Sequence, residues 1–197
     1  MKQRTVGILL FEEVEVLDFA GPFEVLSIAS FKEDHERKPF KVTTVSETGE
    51  IITARNGLQV KPTYSFNNAP NFDILIVPGG PGARQTEIHN EKLIDWINQQ
   101  NRSTEYTTSV CTGALLLGKA GLLDGKKATT HWASYERLEK EFPQVDVIKQ
   151  VKFVDEGRII TSGGISAGII MAFHLVEKLV GEEEKKQTAK RMEYDLI

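Results

Sequence analysis

Between Tyr106 and Ala120 the chain passes from a β-prone run to a helix-forming run across one short junction, and its only cysteine stands there. Tyr106, Thr107, Thr108, Ser109 and Val110 lead in; Ala114, Leu115, Leu116, Leu117, Gly118, Lys119 and Ala120 lead out. Ser109 lies two places before Cys111 and Gly113 two places after it. Small neighbours let the backbone pack closely on both sides of an exposed side chain, so the pattern predicts a strand–turn–helix nucleophile elbow at Cys111. A thiol at a helix N-terminus also faces the positive end of the helix dipole, so a thiolate is expected. A lone free cysteine often serves as a small buried hydrophobe; here the turn context and the spacing of small residues favour a reactive one.

Elsewhere, apolar runs of strand length alternate with helical patterns. Strands are predicted over 6–11, 40–45, 73–77, the run before Cys111, and 127–130. Two hairpins are predicted: 51–53 with 58–60 across Asn56-Gly57, a type I′ signal, and 151–154 with 158–161 across Asp155-Glu156-Gly157. Helices are predicted over 22–30, 91–100, 133–141, 166–180 and 182–192. The alternation predicts a single α/β domain over residues 1–197, a three-layer, flavodoxin-like sandwich with a mostly parallel sheet. In such sheets the site lies beyond the carboxyl ends of the strands. The loops after Phe11, after Val77 and at Cys111 should therefore converge.

Composition narrows the function classes. With 40% hydrophobic and 26% charged residues the chain reads as soluble and globular. A net charge of −4 argues against a dedicated nucleic-acid surface. No apolar stretch reaches membrane-spanning length. The apolar run after Met1-Lys2-Gln3-Arg4 is short and lacks a cleavage site, so it reads as a first strand, not a signal peptide. One cysteine cannot form an internal disulfide, and a cytoplasmic location is expected.

Around Cys111, Asp18 is the carboxylate that stands out, set between Leu17 and Phe19 just before Gly21-Pro22, a predicted helix entrance. Two readings stand together: an acid among apolar neighbours has a partner or a task, or it caps the helix. Glu12, Glu13, Glu15 and Glu24 are expected to be solvated. Gly79-Gly80 follows a buried strand and lets backbone N–H groups approach a ligand. The Gly80 and Thr112 amides are candidates for an oxyanion hole; a plain tight turn is the alternative. His131 is either a general base for a Cys–His pair or a structural histidine beside Trp132. His35, His89 and His174 read as peripheral or structural. No paired His/Cys spacing points to a metal site. Ser162-Gly163-Gly164-Ile165-Ser166-Ala167-Gly168 opens an apolar helix, as a pocket wall or as small-residue packing on the sheet. Phe19, Trp132 and Ile165 are expected to shape the pocket.

Together these motifs resemble the ThiJ/PfpI superfamily, of class I glutamine-amidotransferase-like fold. They are most similar to its isonitrile hydratase branch and to the amidotransferase-like domains of AraC-type regulators. The resemblance is carried by Leu9-Leu10-Phe11, Leu17-Asp18-Phe19-Ala20-Gly21-Pro22, Ile76-Val77-Pro78-Gly79-Gly80 and Thr108-Ser109-Val110-Cys111-Thr112-Gly113. It continues through Ala120 to Gly125, Ala128 to Trp132 and Gly163 to Gly168, and on to Glu193-Tyr194. It implies Cys111 as nucleophile, Asp18 as the nearby carboxylate, and Gly80 and Thr112 as oxyanion-side groups. It also places the Thr112 hydroxyl against a reacting group, sets Gly163 and Ile165 across the site, and puts His131 near the cysteine. The PfpI protease-like branch places histidine directly after the cysteine; Thr112 here disfavours that triad. The chain departs from the hydratase branch at Ile170, where an aspartate is usual, and at Asp195-Leu196-Ile197, beyond which hydratases carry a proline-rich segment.

The resemblance implies cysteine-dependent hydration of an isonitrile to an N-substituted formamide through a thioimidate, with no metal or organic cofactor. It also implies a small electrophilic substrate and a homodimer, while charge and apolar run lengths give the expectation of no nucleic-acid or membrane partner. A cofactor-free glyoxalase-like or amidase-like enzyme and a redox or ligand sensor are the alternatives.

Overall fold

The computed structural model describes residues 2–31, 34 and 36–196. Its strands are β1 (Arg4–Leu9), β2 (Phe40–Ser46), β3 (Ile52–Thr53), β4 (Gln59–Val60), β5 (Tyr64–Ser65), β6 (Ile74–Val77), β7 (Tyr106–Val110), β8 (Lys127–Ala128), β9 (Asp146–Val147), β10 (Phe153–Glu156) and β11 (Ile159–Ser162). Its α-helices are α1 (Val16–Ile28), α2 (Pro81–Gln85), α3 (Glu91–Asn101), α4 (Gly113–Lys119), α5 (Tyr135–Glu141), α6 (Ala167–Leu179) and α7 (Glu182–Arg191).

The main sheet runs β10-β11-β7-β6-β1-β2-β5. Every pairing in it is parallel except β10 with β11. Every residue of β6, and β1 from Val6 onward, is buried. That is the expected pattern for central strands covered on both faces, where apolar residues need not alternate with polar ones. Helix α1 packs against α6 and α7, while α4 packs against α2 and α3. Register then positions the site. Val77 pairs with Ser109, and Val110 with Ser162, so β6, β7 and β11 end side by side. The predicted convergence of three loops gains a fourth member, the Gly163–Ile165 segment after β11.

Three local expectations are corrected. Helix α1 starts at Val16, six residues before the predicted entrance, and carries Pro22 in its interior. Proline removes the N–H that would bond the Asp18 carbonyl, normally a reason to start a helix there. The helix persists because Phe19, Gly21, Val25 and Leu26 are buried along with Pro22 itself. Asp18 consequently lies inside the first turn, and the capping position is Glu15, so the capping reading of Asp18 falls. The β3–β4 hairpin exists, but Ala54–Leu58 separate the two strands, and Ala54 N–H donates to Leu58 O at 2.8 Å. It is therefore not closed by a two-residue type I′ turn. Finally, β8 pairs only with β9, in a separate two-stranded sheet that packs beside β10 and β11.

Candidate active site

Cys111 occupies the turn between β7 and α4 with φ +57°, the left-handed conformation that a nucleophile elbow imposes on its central residue. The turn is held from both sides. Cys111 N–H donates to Gly163 O at 3.0 Å and Ser162 O at 3.2 Å. The buried Thr130 hydroxyl donates to Cys111 O at 2.7 Å. Gly113 is required by crowding: a Cβ there would overlap the Val77 carbonyl. The second strained residue is Ile165, at φ +52°. Strain of this kind persists only where surrounding bonds over-determine it, and here the two residues face each other. The backbone N–H groups of Thr112 and Ile165, and the Thr112 side chain, act on the Cys111 thiol in favour of its charged form.

Asp18 stands behind the thiol and is completely buried. Its Oδ2 accepts from Gly79 N–H at 3.0 Å. Its Oδ1 makes no hydrogen bond among the described residues, although the Cys111 thiol and the Ile165 N–H lie close enough to favour its charged form. Desolvation outweighs these contacts, the charge of Glu15 adds to it, and the Asp18 carboxyl is pushed up to about 7. The Cys111 thiol is pushed up to about 12, by burial first and by the Asp18 charge second. The expected standing thiolate is thereby corrected: the Thr112 and Ile165 amides pull the other way but do not offset the loss of water.

The Gly79-Gly80 loop plays a different part from the one predicted. Gly80 N–H donates to Thr112 Oγ1 at 2.9 Å, and the Thr112 hydroxyl donates back to Gly80 O at 3.3 Å. The Gly80 amide is therefore already engaged and is not a free oxyanion donor, while the Thr112 side chain bonds the loop and also acts on the Cys111 thiol in favour of its charged form. The amides left facing the sulfur are those of Thr112 and Ile165. Gly80 itself sits at φ +123°, and a Cβ there would lie 2.5 Å from Glu13 O and Glu15 N.

In front of the thiol lies a pocket of about 210 Å³, lined by Glu15, Arg55, Arg84, Cys111, His131 and Ile165 among others. Gly80 and Thr112 also line it, whereas Gly79, Gly163 and Asp18 do not. Of the residues expected to shape it, Phe19 is buried elsewhere and Trp132 points outward at 73% exposure; only Ile165 lines it. His131 lines it without a hydrogen bond to Cys111 among the described residues. Its Nδ1 accepts from Ala133 N–H at 3.3 Å, and burial together with the Arg84 charge lowers its pKa.

Glu15 corrects another expectation. It is not solvated: its side chain is 15% exposed and Oε2 accepts from Arg55 Nη1 at 2.7 Å. Arg55, from the β3–β4 loop, and Arg84, from α2, also line the pocket, and nothing local in the sequence distinguishes them from surface arginines. The remaining candidates fall into structural roles. Gly168 packs on Val110 and Pro22, as small-residue packing predicts. His174 bonds Asp155 at 2.7 Å and stacks on Phe153. His89 is exposed in a short 3₁₀ turn, His35 lies outside the described residues, and Ile170 lines a separate groove with Phe153 and Tyr194.

Comparison with known proteins now gives this arrangement a family. Residues 4–178 match the DJ-1/PfpI family. The chain belongs to that family. It is 40% identical over 190 residues to isonitrile hydratase of Pseudomonas putida, an alignment covering 96% of this chain and 78% of the relative. It is 29% identical to the HTH-type transcriptional regulator GbdR of Pseudomonas aeruginosa over 98% of its own length, but spans only 52% of that regulator. Among solved structures, a THiJ/PfpI family protein from Pseudomonas syringae superposes with a TM-score of 0.88 at 26% identity, covering all of this chain and 77% of the other. Drosophila melanogaster DJ-1beta superposes with a TM-score of 0.84 at 21% identity over 99% of this chain and the whole of the other, which establishes the shared fold. Among the described residues no helix is long and apolar enough to cross a membrane.

Proposed function

We propose that the protein hydrates a small isonitrile to an N-substituted formamide, with Cys111 as nucleophile and Asp18 as proton carrier. What supports this reading is the buried carboxyl held directly behind the elbow thiol, in a chain 40% identical to an isonitrile hydratase. The thiol proton passes to Asp18 as the sulfur bonds to the terminal isonitrile carbon. Asp18 returns that proton to the same carbon, giving a thioimidate, R–N=CH–S–Cys111. Water then adds to the carbon while Asp18 takes one of its protons and delivers it to nitrogen. The C–S bond breaks, sulfur recovers the hydroxyl proton, and R–NH–CHO leaves. Covalent attack divides one difficult addition into two easier ones, and a carboxyl that titrates near neutrality can both give and take a proton. The Thr112 and Ile165 amides stabilise negative charge developing on sulfur. The atoms balance without a metal or organic cofactor.

The same reading treats residues 1–197 as one domain of a cytoplasmic homodimer, a state that light scattering checks. Its direct test is steady-state formation of the formamide from a small aryl isonitrile, wild type beside Cys111→Ala. Turnover that depends on Cys111 is the expected result. Absence of turnover across several aryl and alkyl isonitriles, from a protein whose Cys111 still alkylates, would sink the hydratase assignment and favour other electrophiles, in a glyoxalase-like or amidase-like use of the same pair, or redox sensing.

A further inference from the structure

Three side chains of the pocket carry full charges, and two of them cancel. Glu15 and Arg55 are joined at 2.7 Å across its rim. Arg84 is different. It is half-buried on α2, it lines the same pocket, and its guanidinium has no ion pair or hydrogen bond among the described residues. Its backbone is fixed independently, since Arg84 O accepts from Arg137 Nη1 at 2.8 Å. The guanidinium charge acts on His131, another lining residue, where it adds to burial in lowering the imidazole pKa. The pocket therefore presents one uncompensated cation, in the side-chain type whose planar fork fits a carboxylate with two parallel bonds.

Size sets the rest of the ligand. A cavity of about 150 Å³ accepts a benzene ring, so about 210 Å³ gives room for one ring with small substituents beside the thiol. We propose that the natural substrate is a small electrophile bearing a carboxylate, which Arg84 binds while the electrophilic carbon meets Cys111. This rests on the proposed role of Cys111 as the reacting group, and narrows the substrate from isonitriles in general to anionic ones. Arg84 is then a specificity residue and takes no part in bond making.

The test separates this from the hydratase assignment by using alkylation. Cys111 is labelled with chloroacetanilide and with its meta- and para-carboxylate derivatives, and the rates are read by intact mass at low salt. At least one carboxylate isomer should react about tenfold faster than the neutral compound, which corresponds to about 1.4 kcal/mol. Arg84→Gln should remove that preference, and Arg84→Lys should restore part of it. Equal rates for all three reagents in wild type, or a preference that survives Arg84→Gln, would overturn the proposal. Should the variant fail to fold, wild type alone decides: benzoate, and not benzamide, should protect Cys111 from chloroacetanilide, and equal protection counts against the proposal. A carboxylate preference without turnover of any isonitrile would refute the hydratase reading and keep the anion site. Turnover of neutral isonitriles without the preference would do the reverse.

Discussion

Replacing Asp18 by asparagine should make the protein relatively more stable as the pH rises. The native fold holds the Asp18 proton to about pH 7, against an ordinary value of 3.8, chiefly because the carboxyl is buried. Between those two values the native state binds a proton that the unfolded chain has released. Stability associated with this group is thus fully present below about 3.8, falls as pH rises, and is gone above about 7. At 1.36 kcal/mol per pH unit the full loss is about 4 kcal/mol, less than half of which has occurred by pH 5. The asparagine side chain mimics the neutral acid: its carbonyl oxygen can accept the Gly79 N–H, and its NH₂ group replaces an oxygen that has no partner. Any fixed cost of that exchange is independent of pH. The assay is urea denaturation of wild type and Asp18→Asn from pH 5 to 8.5, taking the difference in stability at each pH so that other titrating groups cancel. The difference should move by about 3 kcal/mol in favour of the variant, with formamide production severely reduced throughout. A difference that stays flat to within about 0.5 kcal/mol, a resolution denaturation can reach, would refute the reasoning, because the native carboxyl would then titrate in the ordinary range.

Alkylation of wild-type Cys111 by iodoacetamide should still accelerate with pH at pH 10, since the thiol is pushed up to about 12. In Asp18→Asn the curve should shift to lower pH, because the Asp18 charge is the second cause of that rise; a wild-type plateau by pH 8 would contradict both statements. Thr112→Val deletes both bonds to Gly80 and orphans a buried N–H, so it should cost roughly 1–3 kcal/mol. Thr112→Ser should recover most of this, and the urea midpoints provide the comparison. Gly164→Ala drives a Cβ into the His131 ring and should cost about 1–3 kcal/mol as overpacking. Its neighbour Trp132, 5.4 Å from the ring, should report the displacement as altered fluorescence.

Continuous apolar runs made β1 and β6 legible, and the small residues around Cys111 made the elbow legible, because both signals are local. The start of α1 was hidden for the opposite reason. Its capping residue, Glu15, makes no side-chain cap bond, while Gly21-Pro22 mimics a boundary that tertiary packing overrides. Helix α2 hides in Pro81-Gly82, which reads as loop. Asp18 could be singled out by its apolar neighbours, but the Ile165 amide beside it could not, since a backbone N–H belongs to every residue and only the φ of +52° aims this one. The Glu15–Arg55 pair joins residues 40 apart in sequence and depends on the β3–β4 hairpin docking over the loop after β1, where Arg55 N–H donates to Val14 O at 2.9 Å.

The protonation of the thiol was the most consequential point that local sequence could not decide, and magnitudes explain why. A helix N-terminus favours a neighbouring negative charge by about 0.3–1 kcal/mol, and by ~2 in the best partly buried geometry. Raising the thiol from 9.0 to about 12 corresponds to about 4 kcal/mol in the other direction. Burial wins over the dipole of α4, which is only seven residues long. The site therefore does not store a thiolate; it stores a pair of acids, Cys111 and Asp18, that release their first proton near pH 7 and their second far above it. Such a pair titrates as a unit, and its singly protonated form is the one that can attack, with the thiol proton moving to Asp18 as the S–C bond forms. Rate should accordingly rise with pH through about 7 and then stay level across the alkaline range used for assays. At neutral pH Cys111 gains its nucleophilicity when an electrophile is in place in the pocket it lines and Asp18 is there to take the proton.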